Sequence, residues 1–364
     1  MKICVVTFPI SEAGTIPLSN LMTIIESIST FTCLITGGAG YACYKDDPIV
    51  YAYDIRHKAS TNLLAKVINY LLTQLRISYR LCSLLPDLDM CLFFIGGEGL
   101  ILPMLIARLL RRKVVLALAG VPSKGSKGVL SKVIALLSRI GFMIPHRIII
   151  YSARDIAARG LYGKWISIAH EHFIDFDKFA VTKPATRRWA IGYVGALTEA
   201  KGVPSLLEAI PLVLEKVQGA HFFIAGEGAL DRYASNFVWE HNLGNAVELL
   251  GWIPHECLPQ YLSALRLLVL PSCSEGIPNV VLEAMACGTP VLVTAVGAVS
   301  DIIQDGVTGF ILASNSVEDI AEGILRVLNH PNLSKIVQNA QALVKEKFSF
   351  KATLEGYRRA LDNV

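Results

Sequence analysis

The stretch from Leu265 to Val293 constrains the fold of this chain more than any other. It opens with a short apolar run that ends at Leu270 and has the length of a buried strand. The following residues, PSCSEGIP, are polar and rich in turn formers, and Pro278 suits a first helical position, where a missing N–H costs nothing. An apolar helix starts at Asn279, and a Gly and a Pro end it before a second strand. This order predicts one unit of a parallel sheet covered by helices.

Two carboxylates of this unit stand where ligand chemistry is expected. Glu275 follows the first strand, at the edge where open parallel sheets bind ligands. Glu283 lies eight residues further on, about two helical turns away. The first amide groups of the helix, at Asn279 and Val280, favour an anion. A carboxylate beside a phosphate site needs hydroxyl partners, and a sugar attached to a diphosphate supplies both groups. The alternative for Glu283 is a carboxylate on a solvated helix face.

The whole string SEGIPNVVLEAMACGTPV, with its E-x(7)-E spacing, resembles the retaining glycosyltransferases of family 4. The resemblance implies an α/β protein with the GT-B fold, in which two Rossmann-like domains face each other across a cleft and a C-terminal helix returns to the first domain. It is strong over residues 190–361 and weak over residues 1–180. It implies a first domain over residues 1–183, completed by about 348–364, and a second domain over residues 184–347.

The resemblance also implies a donor site and a division of roles within it. Glu275 would contact the donor sugar and Glu283 the ribose. The string GALTEAKG resembles the phosphate loop of the family, and in it Lys201 would hold the diphosphate, so that Glu275 and Lys201 are the predicted catalytic pair. The backbone at Ile253 would contact the nucleotide base. The remaining predicted donor-binding residues are Gly14, in the loop after the first strand, and Gly195, Gly276, Ile277, Asn279 and Val280.

Two positions depart from the family pattern. Ala196 stands where the phosphate loop usually has an Arg, and Arg187 and Arg188 are nearby cations that could replace it. Ala119 and Gly120 stand where many members have a His after a strand of the first domain. These departures keep a second hypothesis open, namely a non-catalytic protein that binds a nucleotide sugar. A third, nucleotide-sugar epimerisation, is disfavoured by the E-x(7)-E string.

The predicted reaction is glycosyl transfer from a nucleotide-diphosphate sugar, of UDP or GDP type, with retention of configuration. The predicted acceptor is a sugar or a lipid-linked glycan. No cofactor is expected. No metal site is expected either, because the pair His170 and His172 is interpreted as packing in the linker between the domains rather than as a two-ligand metal site.

The charge of the chain is unevenly distributed. The net charge of +4 is too small to indicate a nucleic-acid partner. Residues 1–180 hold 20 Lys and Arg against 12 Asp and Glu, whereas residues 181–364 hold 14 against 18. Between Arg76 and Arg139 there are ten basic residues and three acidic ones. This basic stretch either completes helix dipoles in solvent or faces an anionic membrane surface.

An amphipathic helix is predicted over Asn62–Arg80. We expect its apolar face to cover a sheet, as such stripes usually do in α/β domains. The alternative is a helix that lies on a membrane. The residues of the apolar face are Leu63, Leu64, Val67, Ile68, Leu71, Leu72 and Leu75.

The eight cysteines form no C-x-x-C pair. Most lie in apolar surroundings, which predicts buried free thiols and a reducing compartment. The first residues, MKICVVTF, have the pattern of a strand rather than a signal peptide. No uncharged apolar segment is long enough to span a bilayer. The expected location is cytoplasmic, alternatively peripheral on the cytoplasmic face of the membrane.

Overall fold

The computed structural model describes residues 1–58, 60, 62–118, 138–161, 163, 165–180, 190–362 and 364. The chain forms two compact units. The first contains Met1–His172 together with Thr353–Val364, and the second contains Phe173–Ala352. The expected domain boundary at 183–184 and the basic loop after residue 118 lie outside the described residues.

A seven-stranded parallel sheet forms the centre of the first unit. The chain starts in the middle of this sheet, builds outward to one side, and then returns to build the other side. The strand order is therefore β3-β2-β1-β4-β5-β6-β7, and the order reverses between β1 and β4. The strands are β1 Lys2–Thr7, β2 Phe31–Thr36, β3 Tyr51–Asp54, β4 Met90–Phe94, β5 Lys113–Ala117, β6 Arg147–Ile150 and β7 Ile166–Ile168.

Helices connect these parallel strands, and their apolar faces build the core. The central strands are buried on both faces, as the continuous apolar run at Met90–Phe94 requires. Residues 138–143 are also helical. The helices are α1 Thr15–Ile28, α2 Ala39–Tyr44, α3 Leu63–Leu84, α4 Ile101–Leu109 and α5 Ala153–Ala158. Short 3₁₀ turns lie at Glu12–Gly14, Leu85–Asp87 and Gly97–Gly99.

The second unit has a six-stranded parallel sheet of the same design. Its order is β10-β9-β8-β11-β12-β13, which reverses between β8 and β11. The strands are β8 Ala190–Val194, β9 His221–Ala225, β10 Val247–Gly251, β11 Leu267–Leu270, β12 Val291–Thr294 and β13 Phe310–Leu312. The helices are α6 Val203–Lys216, α7 Asp231–Glu240, α8 Leu258–Ala264, α9 Asn279–Ala286, α10 Val299–Ile302, α11 Val317–Leu328 and α12 Leu333–Lys347, with a 3₁₀ turn at Glu199–Lys201. A last helix, α13 (Phe350–Asp362), enters the first unit at Thr353.

The predicted alternation of strands and helices is confirmed in both units. The unit first inferred from Leu265–Val293 is β11, α9 and β12, and β11 and β12 are adjacent and parallel. After β2, Gly38, with φ of 63°, precedes the short helix α2. Helix α12 buries three side chains, those of Ile336, Ala340 and Val344.

The prediction that the apolar face of α3 covers a sheet is wrong. The side chains that α3 buries are Thr73, Gln74, Ile77, Ser78 and Leu81. These buried residues all lie from Thr73 onward, whereas most of the predicted apolar face lies before Thr73. That face, from Leu63 to Leu75, is exposed.

The prediction of buried free thiols is confirmed for only part of the cysteines. All eight are free. Cys4, Cys33 and Cys91 are buried side by side on β1, β2 and β4, and Cys287 is buried in the second unit. Burial raises the pKa of the Cys91 thiol to about 12. The exposed cysteines are Cys43, Cys82 and Cys273, and Cys257 is partly buried.

Candidate functional site

The topological switch point of the second sheet lies between β8 and β11. From β8 the chain continues to β9 and β10 on one side, whereas β11 lies on the other side. Ligands of open α/β sheets bind in a crevice at the carboxyl edge beside such a switch point, and the loops that leave β8 and β11 lie at this edge. Lys201 lies on the loop after β8 and Glu275 on the loop after β11.

Lys201 and Glu275 form an ion pair at this edge. The Lys201 Nζ lies 2.6 Å from Oε1 of Glu275, and the Ser272 hydroxyl donates to the same oxygen at 2.6 Å. The Glu275 side chain is 8% exposed and that of Lys201 is 30% exposed. A buried carboxylate is costly unless it is paired and hydrogen-bonded, and here both conditions are met. The Thr294 hydroxyl in turn donates to the Ser272 carbonyl oxygen.

Close backbone packing holds the loops around this pair. The Cys273 amide donates to the Ala200 carbonyl at 2.8 Å, which joins the loops after β11 and β8. At Gly297, after β12, φ is +58° and an added Cβ would lie 1.8 Å from the Glu275 carbonyl oxygen. A side chain at position 297 would therefore displace the loop that carries Glu275.

Glu283 is buried on α9 and has a partner from another loop. It is 6% exposed, so the alternative of a solvated helix face is wrong. The His255 Nε2 lies 2.8 Å from its Oε1, and the Lys178 Nζ lies 3.3 Å from the His255 Nδ1. Because the lysine ammonium group only donates, a neutral imidazole with its proton on Nε2 satisfies both contacts. The Phe179 ring lies 5.4 Å from the His255 ring.

The predicted base contact lies on the same edge of the sheet. Ile253 follows β10 by two residues. The Gly226 amide, after β9, donates to the Gly251 carbonyl at 2.7 Å. A Cβ at Gly226 would lie 1.9 Å from the Gly195 carbonyl oxygen, after β8. The loops of β8, β9 and β10 thus pack backbone against backbone, and Gly195 and Ile253 both belong to this layer of loops.

The first turn of α9 lies in the chain between the two carboxylates. Gly276 accepts a hydrogen bond from the Ala298 amide at 3.3 Å, and Ile277 is buried. Asn279 and Val280 are the first two residues of the helix. The N-terminal end of α9 therefore follows directly on Glu275, and this end of a helix attracts anions.

Gly14 is the one predicted site residue in the first unit. It ends the 3₁₀ turn after β1 and precedes α1, at the switch point of the first sheet. Aromatic groups that were not singled out in the sequence lie at the same edge. The Phe8 ring lies 4.9 Å from the His57 ring and 6.3 Å from the Tyr70 ring. The His57 Nδ1 is 2.8 Å from the Thr73 hydroxyl.

Of the departures from the family pattern, only Ala196 lies among the described residues. It is exposed, and its carbonyl accepts a hydrogen bond from the Tyr193 hydroxyl at 2.8 Å. Burial, followed by the charge of Glu275, raises the pKa of Tyr193 well above its usual value. Ala119, Gly120, Arg187 and Arg188 lie outside the described residues.

Sequence reasoning missed four residues that complete the site, namely Ser272, His255, Lys178 and Gly297. Ser272 lies three residues before Glu275 and His255 lies two residues after Ile253, so their proximity to predicted site residues in the chain was a usable signal. The sequence around Lys178 and Gly297 contains no signal of their roles, because these roles depend on contacts with residues that are distant in the chain. Over the described residues, no cluster of three or more His, Cys, Asp or Glu side chains could hold a metal ion.

Comparison with known sequences finds matches to part of the chain. The family of glycosyl transferases group 1 matches residues 175–343. The chain is 33% identical over 172 residues to an uncharacterized glycosyltransferase of Methanocaldococcus jannaschii, covering 47% of each protein. It is 29% identical over 192 residues to the alpha-D-kanosaminyltransferase of Streptomyces kanamyceticus, covering 51% of this chain and 50% of the relative. The chain thus spans about half the length of the curated relatives it matches.

Comparison with solved structures covers the whole chain. The crystal structure of Anabaena HepE in complex with UDP matches with a TM-score of 0.81 at 17% identity, over 100% of both chains. The sucrose-phosphate synthase of Thermosynechococcus elongatus matches with a TM-score of 0.76 at 18% identity, again over 100% of both chains. At these identities the likeness shows the fold, an α/β fold with two Rossmann-like units as in GT-B glycosyltransferases. Residues 175–343, which lie within the second unit, are thus similar to the glycosyl transferases group 1 family.

Proposed function

We propose that this protein transfers a sugar from a nucleotide-diphosphate sugar to an acceptor, with retention of configuration. The observation that carries the proposal is the Lys201–Glu275 ion pair at the switch point of β8 and β11. It places one cation and one carboxylate at the edge of the sheet where a diphosphate and a sugar hydroxyl would bind together.

In this proposal the donor replaces the ion pair with two separate contacts. The diphosphate takes the place of Glu275 as the partner of Lys201. The hydroxyl groups of the sugar take the place of Lys201 as partners of Glu275, while Ser272 keeps its hydrogen bond to the carboxylate. Each group is then paired before and after donor binding, so neither charge is left buried alone.

The catalysis we propose is electrostatic. The bond between the anomeric carbon and the diphosphate oxygen breaks, and the acceptor hydroxyl forms the new bond to that carbon and releases its proton. Negative charge develops on the leaving diphosphate, where Lys201 and the first amide groups of α9 stabilise it. The Glu275 carboxylate orients the sugar and favours positive charge at the anomeric carbon. No metal is part of this proposal.

The remaining donor contacts follow from the same layer of loops. Glu283, oriented by His255, would accept hydrogen bonds from the ribose hydroxyl groups, and the backbone at Ile253 would contact the base. Gly195, Gly276 and Ile277 would let the backbone approach the donor. Crystal structures of Anabaena HepE contain UDP and UDP-glucose, so a UDP-sugar is the first donor to test.

For the acceptor we propose a sugar or a lipid-linked glycan at a membrane surface. The first half of the chain, with its charge of +8 against −4 in the second half, supports this class, because basic segments attract anionic lipid. Within the described residues, none of the helices is long and apolar enough to cross a bilayer.

A single assay tests the reaction. The protein is mixed with UDP- and GDP-sugars and a membrane extract, and nucleotide release is measured. We expect release that depends on the extract and disappears in Glu275→Ala. The control is Glu240→Ala, an exposed carboxylate at the end of α7, which should retain full activity. Donor binding without turnover would contradict catalysis, and conversion of the free donor into another nucleotide sugar would indicate an epimerase.

A further inference from the structure

Helix α3 carries an apolar stripe that none of the described residues covers. The stripe consists of Leu63, Leu64, Val67, Ile68, Leu71, Leu72 and Leu75, each between 39% and 69% exposed. At about 100° per residue these side chains take up roughly half of the circumference of the helix. Tyr79, which is 79% exposed, extends the stripe by one turn. Continuous exposed apolar surface of this kind marks an interaction site.

Side chains from Tyr70 onward attach α3 to the first unit. The Gln74 side-chain oxygen accepts a hydrogen bond from the Leu102 amide at 2.9 Å. The Tyr70 hydroxyl donates to the Gly99 carbonyl, and Thr73 pairs with His57. Ile77 and Leu81 are fully buried. These contacts hold α3 in an orientation that leaves the stripe exposed.

Basic side chains accompany the stripe. From Ile55 to Pro86 the sequence has five Lys and Arg residues and no Asp or Glu. Arg56, Arg76 and Arg80 line one pocket with Tyr79. The Arg76 guanidinium donates to the Arg56 carbonyl at 2.6 Å, and that of Arg80 lies 5.0 Å from the Tyr53 ring centroid. The one carboxylate at this pocket, Asp54, is 3.9 Å from Arg56.

We propose that α3 is an interfacial helix that docks the protein on an anionic lipid surface. Its apolar stripe would enter the boundary between headgroups and acyl chains, and Lys66, Arg76 and Arg80 would bind lipid phosphate groups from the polar face. An apolar face combined with basic side chains and no acidic ones fits a lipid surface. A second copy of this chain would instead bring the same arginines toward one another, which the charge opposes. This inference deepens the proposed function, because it names the surface that would present the lipid-linked acceptor.

The test is co-sedimentation of the full chain with vesicles. Phosphatidylcholine vesicles are compared with vesicles in which about a third of the lipid is phosphatidylglycerol. We expect binding to the anionic vesicles that weakens with added salt, and at least a tenfold loss of affinity in Leu64→Glu/Leu71→Glu. Both positions are exposed, so the charges should not disturb the core. The matched control is Trp239→Glu, an apolar residue on α7 that is 80% exposed, and it should bind as the unchanged protein does.

Two further readouts separate the outcomes. The melting temperature shows whether the double variant is folded, and binding of UDP by calorimetry shows whether the donor site is intact. Loss of vesicle binding with both readouts unchanged supports the inference. If the protein does not bind anionic vesicles, or if the double variant binds them equally well, the inference about α3 is wrong. The proposal of a donor site would not be affected by either result. A dimer that the double variant abolishes, with no vesicle binding, would assign the stripe to a second copy. Vesicle binding without UDP binding would overturn only the proposed donor chemistry.

Discussion

His255 links a carboxylate and an ammonium group at the proposed donor site. It receives a hydrogen bond from Lys178 at one ring nitrogen and donates to Glu283 at the other. Glu283 is too buried to be held by water alone, so the imidazole fixes which way its carboxylate points. In the proposed function His255 is a positioning residue, because it reaches the ribose only through Glu283.

We expect His255→Ala to raise the KM for the nucleotide sugar roughly tenfold, since a hydrogen bond to a charged group is worth about 1.5–3 kcal/mol. The effect on kcat should be smaller, because the ribose does not react. Steady-state kinetics with varied donor concentration measure both constants. The control is His221→Ala, an exposed histidine at the start of β9. A fall in kcat at unchanged KM would contradict the positioning role.

Ala196 gives the proposed phosphate loop one cation fewer than the resemblance to family 4 leads us to expect. The side chain is exposed at the carboxyl edge of the sheet, so a longer residue meets no packed core. We expect Ala196→Arg to tighten UDP binding about fivefold, since a second cation near a partly solvated diphosphate contributes about 1 kcal/mol. Calorimetric titration measures this. Ala196→Gln has a similar length without the charge and should leave the affinity unchanged; an equal gain in both variants would contradict the electrostatic explanation.

At the scale of elements, the loops after β8, β11 and β12 act as one support for the ion pair. Gly297 is the tightest point of that support, because its own φ is positive and the Glu275 carbonyl lies where a side chain would begin. The position of the Glu275 carboxylate, which is catalytic in the proposed function, is therefore set partly by a glycine.

Gly297→Ala should reduce glycosyl transfer at least a hundredfold, because the loop that carries Glu275 must move to admit a Cβ. The matched control is Gly306→Ala. That glycine also has a positive φ, of +70°, but an added Cβ meets nothing within 4 Å. Both variants should lose about 1 kcal/mol of stability from backbone strain, measured as a lower melting temperature. Only Gly297→Ala should lose activity, and equal activity in the two variants would show that the loop tolerates the shift.

The predictability of the elements differs between the two units. The β11–α9–β12 unit was readable because a buried parallel strand is a continuous apolar run and because Pro, Gly and the helix start mark its ends. The sequence did not show whether the apolar face of α3 packs on the sheet or faces outward. A stripe of leucines at helical spacing has the same pattern whether it packs on a sheet or faces outward, and Thr73 and Gln74 show no sign of burial in the sequence.

At the scale of the whole molecule, a cluster of ionisable side chains lies where the first unit ends. Glu171 is fully buried and accepts a hydrogen bond from the Tyr151 hydroxyl. Tyr357, on α13, is fully buried, and burial together with the charge of Glu171 raises its pKa. Burial, and then the charge of His172, lowers the pKa of His170 from 6.5 to about 4. The neutral form of His170 is therefore the one that fits the folded unit.

This cluster predicts a loss of stability in acid. The unfolded chain takes up a proton on His170 near pH 6.5, whereas the folded unit resists it until about pH 4. Between these values the unfolded state binds more protons, so the free energy of unfolding falls as the pH falls, by at most about 3 kcal/mol. The melting temperature from pH 7.5 to 4 measures this. His170→Gln cannot be protonated and should show a shallower decline; an unchanged slope would contradict the assignment to His170.

The sequence by itself determined the α/β class, the order of strands and helices, and the places of Glu275 and Lys201 after strands and of Glu283 on the following helix, because these depend on local periodicity, turn residues and spacing along the chain. Only the tertiary structure decided that Lys201 pairs with Glu275, that His255 and Lys178 hold Glu283, that Gly297 must lack a side chain, and that the apolar stripe of α3 is exposed. The physical reason is that hydrogen bonds, burial and steric contact join residues far apart in the chain, such as Lys178 and His255, which are 77 positions apart, and these distances are set only when the sheet brings its carboxyl ends together.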